Sequence, residues 1–192
     1  MTTRLEEKAE QILQRALPEF LKNGYAATSM DRVAQAAGVS KQTLYSHFLD
    51  KDGLFTALVK RMAGEKFRLV WSKPLKGEPK KVLKELAYRL LEEAQDKDHI
   101  CFMRLVVSES EKRPDLAHIF LSNIAQPSIK ILTEYLTENP ELKIVDAEAT
   151  ARIFVGSLIH YILTQEMFYG KEIMPMSEER LVNSLIELLL KE

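Results

Sequence analysis

The chain has 192 residues, of which 46% are hydrophobic and 29% charged, with a formal net charge of −1. That length can bury one sizeable core, or a small core and a larger one. The near-neutral balance excludes a protein that holds nucleic acid by a general positive field, and the sole cysteine, Cys101, excludes an intrachain disulfide and fits a reducing compartment.

The first predicted element is a helix over residues 4–23, where Ala9, Ile12, Leu13, Ala16 and Phe20 repeat at helical spacing. Gly24 ends it, and Pro18 inside it predicts a bend near Gln14 to Pro18 rather than a break, because the apolar face continues to Phe20. Tyr25 is expected in a small N-terminal core, with a phosphate contact as the alternative. Two short helices follow, at about 29–36 and 41–47. Thr28 is expected to cap the first, with Asp31 at capping-box spacing, and Ser40 the second. Between them, Ala37-Gly38-Val39 makes a tight turn, with Gly38 supplying a positive φ. Met30, Val33 and Ala34 share one face of the first helix, and Leu44 and Phe48 one face of the second. Two short helices joined by a glycine-bearing turn make a helix-turn-helix.

Asp50 is expected to cap a longer helix running to about Val70. The stretch Ser72 to Pro79, with two prolines, a glycine and no periodicity, reads as a linker. Helices are then predicted over about 79–96, 98–111, 114–137 with a kink at Pro127, 146–169 starting at Asp146, and a last one capped by Ser177. No strand pattern, internal repeat or low-complexity segment appears, so the expected fold is all-α.

The run Gly38-Val39-Ser40, Thr43-Leu44-Tyr45, His47-Phe48, Lys51 and Leu54 resembles the TetR family of one-component transcriptional regulators, over roughly residues 5 to 65. Ser46 stands where that family often has an aromatic residue, and Pro18 also departs from its pattern. The resemblance implies an N-terminal helix-turn-helix DNA-binding domain (1–50), a connecting helix (51–70) and a larger helical regulatory and dimerisation domain (71–192). It implies that Tyr45 and Lys51 position the head on phosphates, with Thr28 and Ser29 able to do the same from the start of the other motif helix.

If the motif binds DNA, its second helix enters the major groove N-terminus first and presents Lys41, Gln42, Thr43 and Ser46. Gln42 suits an adenine edge, Lys41 a guanine edge or a phosphate, and Thr43 a thymine methyl. The competing reading is an ordinary solvated face. His47 is expected to be structural. Residues 1–66 hold 10 Lys/Arg against 8 Asp/Glu and the remainder 17 against 20, so contact must come from a few placed groups.

Ile153 to Leu163 is apolar nearly all round, with Gly156 and Ser157 allowing close approach, and the last helix carries a wide stripe from Leu181 to Leu190. Helices apolar on more than one side pack on more than one neighbour; a central core in a monomer is one reading, and the resemblance, with the two heads that a two-fold reader of DNA needs, implies a homodimer through the last two helices. The family also implies a small-molecule effector. Phe102, Arg104, Phe120, Phe154, His160 and Tyr161 are the candidates to line its pocket, each also readable as plain core; Arg104 in an apolar run needs a carboxylate or an anionic ligand.

No metal site or cofactor is expected, since Glu92, Glu93, His99, Cys101, Glu109, Glu111, His118 and His160 show no tight ligand spacing. Cys101 reads as a buried small hydrophobe and Trp71 as packing. No nucleophile elbow, phosphate loop or metalloprotease motif is present, so no enzyme activity is expected. The N-terminus MTTRLEEKAE has no apolar signal region, and Ile153 to Leu163 is too short to span a bilayer, so a cytoplasmic protein is expected. The reading is a ligand-released repressor on operator DNA; the alternative is a helical ligand-binding or adaptor protein without a specific DNA target.

Overall fold

A computed structural model describes residues 4–190; the first three and last two residues of the expected terminal domains lie outside it. Every regular element among the described residues is helical. The long helices are α1 (Arg4–Ala27), α2 (Met30–Ala37), α3 (Lys41–Phe48), α4 (Lys51–Trp71), α5 (Pro79–Glu93), α6 (Lys97–Glu109), α7 (Pro114–Phe120), α8 (Gln126–Thr137), α9 (Ala147–Ile162) and α10 (Glu178–Leu190). None of the described helices is long and apolar enough to cross a membrane.

The chain packs as two compact units, each drawn from two stretches of the sequence. One takes residues up to Ala63 together with Cys101–Phe120, and the other Gly64–Ile100 together with the residues from Leu121 on. The first therefore joins α1–α3 and most of α4 to parts of α6 and to α7. Its core stacks Ile12, Ala16 and Phe20 of α1, Val33 and Ala37 of α2, Leu44 and Phe48 of α3, and Leu54, Phe55 and Leu58 of α4. Phe102, Val106 and Leu116 complete it. Phe20, Tyr25 and Phe55 form an aromatic cluster, with Phe55 at 5.0 Å from each of the other rings. This is the packing role expected of Tyr25.

Cys101, expected inside, is exposed. On α6 the buried positions are Ile100, Phe102 and Val106, and Cys101 falls on the opposite face. α1 runs unbroken through Pro18 and first leaves helical dihedrals at Gly24 (φ 72°, ψ 174°). The cross-links Arg61 to Glu10 at 2.7 Å and Gln11 Nε2 to the Ala37 carbonyl at 3.3 Å tie α1 to α4 and α2.

The second unit centres on Leu83, Leu86 and Leu91 of α5, Leu132 of α8, Phe154 and Leu158 of α9, and Val182 of α10, with Val70 and Trp71 from the end of α4. Each such side chain, fully buried, contributes about 1.5–3 kcal/mol. Asp146 and Ser177 cap α9 and α10 as expected, accepting from Ala149 N at 2.9 Å and Arg180 N at 3.2 Å.

The helix expected over 114–137 is interrupted, but before Pro127 rather than at it. A π-helical turn, Leu121–Ala125, separates α7 from α8, and Pro127 lies in the first turn of α8. Proline has no N–H to give the carbonyl four residues back, and its ring crowds that carbonyl, so the preceding turn widens. A second π turn, Leu163–Met167, ends α9, where an unbroken helix to Tyr169 was expected.

Candidate nucleic-acid interface

The interface is built on the turn between α2 and α3. Gly38 adopts φ 64°, ψ 37°, and the N–H groups of Gly38 and Val39 close α2 on the carbonyls of Gln35 and Ala34. A left-handed residue costs glycine nothing, so the chain reverses here without strain. Ser40 Oγ then accepts from Thr43 N at 3.0 Å and starts α3.

Leu44 and Phe48 are buried and anchor α3, so its other side is turned out. Lys41, Gln42, Tyr45 and Ser46 are exposed, and Thr43 is half-exposed. The α3 residues proposed from sequence thus lie on one short helix, though their groups are not equally available. The Ser46 hydroxyl donates back to the Thr43 carbonyl at 2.8 Å, and the Thr43 and Ser40 hydroxyls pair at 2.8 Å. Among the described residues the Gln42 amide has no partner.

α3 ends in a tight three-residue turn. Leu49 takes φ 62°, ψ −55°, and Asp50 N reaches the Phe48 carbonyl at 2.6 Å. This is the strained γ-turn geometry, rare for a residue with a side chain. Asp50 Oδ1 caps α4 as expected, accepting from Gly53 N at 2.7 Å. Gly53 is required there, since a Cβ would sit 2.2 Å from the Phe48 carbonyl oxygen.

At the start of α2 the cap is Ser29, not Thr28. Ser29 Oγ accepts from Arg32 N at 3.3 Å. Thr28 is 2% exposed, and its hydroxyl donates to the carbonyls of Gly24 (2.7 Å) and Glu19 (3.2 Å) at the end of α1. Burial and those bonds take Thr28 out of reach of a phosphate, whereas Ser29 is exposed.

Lys51 is also engaged within the protein. Its ammonium donates to the carbonyls of Tyr25 and Ala26 at 3.0 and 3.2 Å, where a cation suits the negative end of α1. Lys41 pairs with Asp31 at 2.6 Å. Asp31 is the group that the sequence reading assigned only to capping. His47 is half-buried with its ring 6.0 Å from that of Phe48, as a structural histidine would be.

The six residues proposed for an effector pocket are divided between the two compact units. Phe102, Arg104 and Phe120 fall in the first unit, and Phe154, His160 and Tyr161 in the second. Phe102 is 3% exposed and packs near Phe55, while Phe154 and Tyr161 belong to the second core. His160 is exposed on α9. The second unit does carry a cavity of about 550 Å³ lined by Leu121, Ile129, Thr133 and Arg152 among others, and none of the six lines it. Helical periodicity marks an apolar face but does not say whether that face meets a core or a cavity. Among the described residues no three His, Cys, Asp or Glu side chains gather as metal ligands would.

Residues 12–58 match the model of the tetR family of bacterial regulatory proteins, and residues 81–192 match that of the C-terminal domain of AefR-like transcriptional repressors. The transcriptional regulator AcrR of Shigella flexneri is 36% identical over 90 residues, which span 45% of this chain and only 41% of that protein. The regulator YvkB of Bacillus subtilis is 22% identical over 188 residues, 95% of each chain. A TetR-family regulator from Mesorhizobium loti superimposes with a TM-score of 0.85 at 25% identity, covering 99% of this chain and 98% of the other. The flavonoid-responsive regulator FrrA does so at 0.74 and 27%, covering 96% and 94%. With a helix-turn-helix mounted on an apolar core and family models matching both parts of the sequence, the chain belongs to the TetR family of DNA-binding transcriptional regulators.

Proposed function

We propose that this regulator is a homodimeric repressor that a small-molecule effector releases from its operator. The carrying observation is the outward face of α3. Lys41, Gln42, Tyr45 and Ser46 are exposed on a helix whose opposite side is locked by Leu44 and Phe48. A rigid helix with a free amide and a cation at its N-terminal end suits entry into a major groove. Ser29, Tyr45 and Lys51 would hold the flanking phosphates, Lys51 through the one ammonium proton left beyond its two carbonyls.

The functional division we infer is a reading head over 1–50, a connecting helix over 51–70 and a regulatory body over 71–192. α4 supplies residues to both compact units, which supports its role as the connection. The exposed apolar residues Ile153 and Ile159 of α9 and Leu188 of α10, at 59%, 50% and 77% exposure, support a two-fold interface through the last two helices. The match to a repressor C-terminal domain supports the sign of regulation, and the flavonoid-responsive relative supports a small, largely apolar effector. The effector must bind the DNA-free state more tightly, and DNA then weakens the effector by the same factor.

Selection of duplexes from a random library, with the full chain in solution, tests this reading. The enriched sequence is expected to be a near-palindrome with half-sites about one helical turn, or a multiple of it, apart. A pool that enriches no sequence, or a chain that sediments as a monomer while binding DNA, contradicts it.

A further inference from the structure

We propose that Asp31 is a specificity-determining residue of the DNA-reading face, acting as the positioning residue for Lys41. Its carboxylate holds the Lys41 ammonium and withholds that charge from indiscriminate phosphate contact. The inference rests on the reading of α3 as the helix that enters the groove.

Asp31 lies in the first turn of α2 and Lys41 opens α3; the reversal at Gly38 brings them together. The carboxylate Oδ2 is 2.6 Å from the ammonium. Both side chains are largely in solvent, at 61% and 64% exposure, so the pair lies on the surface rather than in the core. An exposed ion pair contributes little to folding. Nor is Asp31 the cap of α2, since Ser29 Oγ fills that place. Arg32, the cation that α2 itself carries, is directed elsewhere, with Nη1 3.4 Å from Asn23 Oδ1.

The pair changes what Lys41 can do. A lysine is a mobile point charge that accepts any phosphate within its reach, and such contacts raise affinity for every sequence alike. Held by Asp31, Lys41 is neutralised toward DNA that offers only a passing phosphate. A duplex that places an acceptor edge, such as that of guanine, at the N-terminus of α3 offers a directed alternative. Asp31 thereby lowers non-specific binding more than specific binding. Asp31 stands at capping-box spacing, so its place in the sequence has a local explanation that hides this role.

The test uses the full chain and two labelled duplexes of equal length, one enriched by the wild type from a random library and one scrambled. Anisotropy titrations run across about 50 to 200 mM KCl. Asp31→Asn is expected to tighten binding to the scrambled duplex about 3- to 10-fold and to steepen its log–log salt slope by about one, the signature of one more phosphate neutralised. Binding to the enriched duplex changes less, so the specificity ratio falls. Asp31→Glu restores the wild-type ratio, and Asp31→Asn placed in a Lys41→Gln background gives no gain. An unchanged ratio and slope in Asp31→Asn overturns the proposal. So does a gain that survives without Lys41, because that is bare repulsion between carboxylate and phosphate. If the wild type enriches no duplex at all, the reading of α3 fails first and the role of Asp31 falls with it.

Discussion

Lys51 and Tyr25 are joined twice. The Lys51 ammonium donates to the Tyr25 carbonyl at 3.0 Å and stands 4.5 Å from the centroid of the Tyr25 ring. The first residue of α4 thus closes the end of α1, in the same corner where Tyr25 packs on Phe20 and Phe55. A lysine expected to serve phosphates is therefore also a fastener of the head. Lys51→Ala is expected to destabilise the protein by about 1–2 kcal/mol, the scale of a charged hydrogen bond with a helix-end charge. Urea denaturation without DNA checks this, and a stability equal to wild type would restrict Lys51 to DNA contact.

The aromatic cluster beneath that corner is the more demanding site. Phe55 is 0% exposed and contacts Phe20, Tyr25 and Phe102. Phe55→Ala removes a ring and leaves a cavity, an expected loss of about 3–5 kcal/mol. Phe55→Leu keeps most of the volume and is expected to lose less than half of that. The two midpoints in a urea series give the comparison.

Gly53 meets its neighbour by contact rather than by dihedral. A methyl group there would lie 2.2 Å from the backbone oxygen of Phe48, which cannot retreat without moving the end of α3. Gly53→Ala is expected to destabilise by about 1–3 kcal/mol, as overpacking does, and to weaken DNA binding beyond its effect on folding. At Gly38, by contrast, a Cβ meets nothing within 4 Å and only the φ of 64° opposes it. Gly38→Asn is therefore expected to be tolerated better than Gly38→Val, as thermal melts would show.

His99 makes stability depend on pH. Burial, assisted by the nearby Lys66 charge, pushes its imidazole from the ordinary 6.5 down to about 4, against the opposing pull of Asp96 and Glu93. Its Nδ1 is buried without a hydrogen-bond partner among the described residues. The unfolded chain takes up the proton near pH 6.5 and the folded chain does not. Stability is therefore full above that pH, falls as the pH drops toward 4, and levels off below. The expected loss between about pH 8 and about pH 5 is on the order of 2 kcal/mol. Denaturation at those two values checks it, with His99→Asn expected to remove most of the difference.

The parts of this fold legible in the sequence are those with local causes. Gly38, Ser40, Asp50, Asp146 and Ser177 each stop or start a helix through their own backbone or side-chain oxygen, and all five do so in the structure. What escaped was decided at a distance. Thr28 was expected to cap α2; it loses the role to Ser29 because the end of α1 captures its hydroxyl. Lys41 and Lys51 read as free cations because Asp31 and the Tyr25 carbonyl lie 10 and 26 residues away in sequence. Cys101 sits between Ile100 and Phe102, and only the orientation of α6 determines that the neighbours are buried and the thiol is not.

The most direct test of sequence reading by α3 is a base-pair scan of one half-site in the enriched duplex, with wild type and Gln42→Ala side by side. Wild type is expected to lose about 1–3 kcal/mol at each contacted position. Gln42→Ala is expected to become indifferent at one position, where the wild type prefers adenine, and to keep its penalties elsewhere. If Gln42→Ala weakens every duplex equally, or matches the wild type at every position, α3 is not reading that base through Gln42.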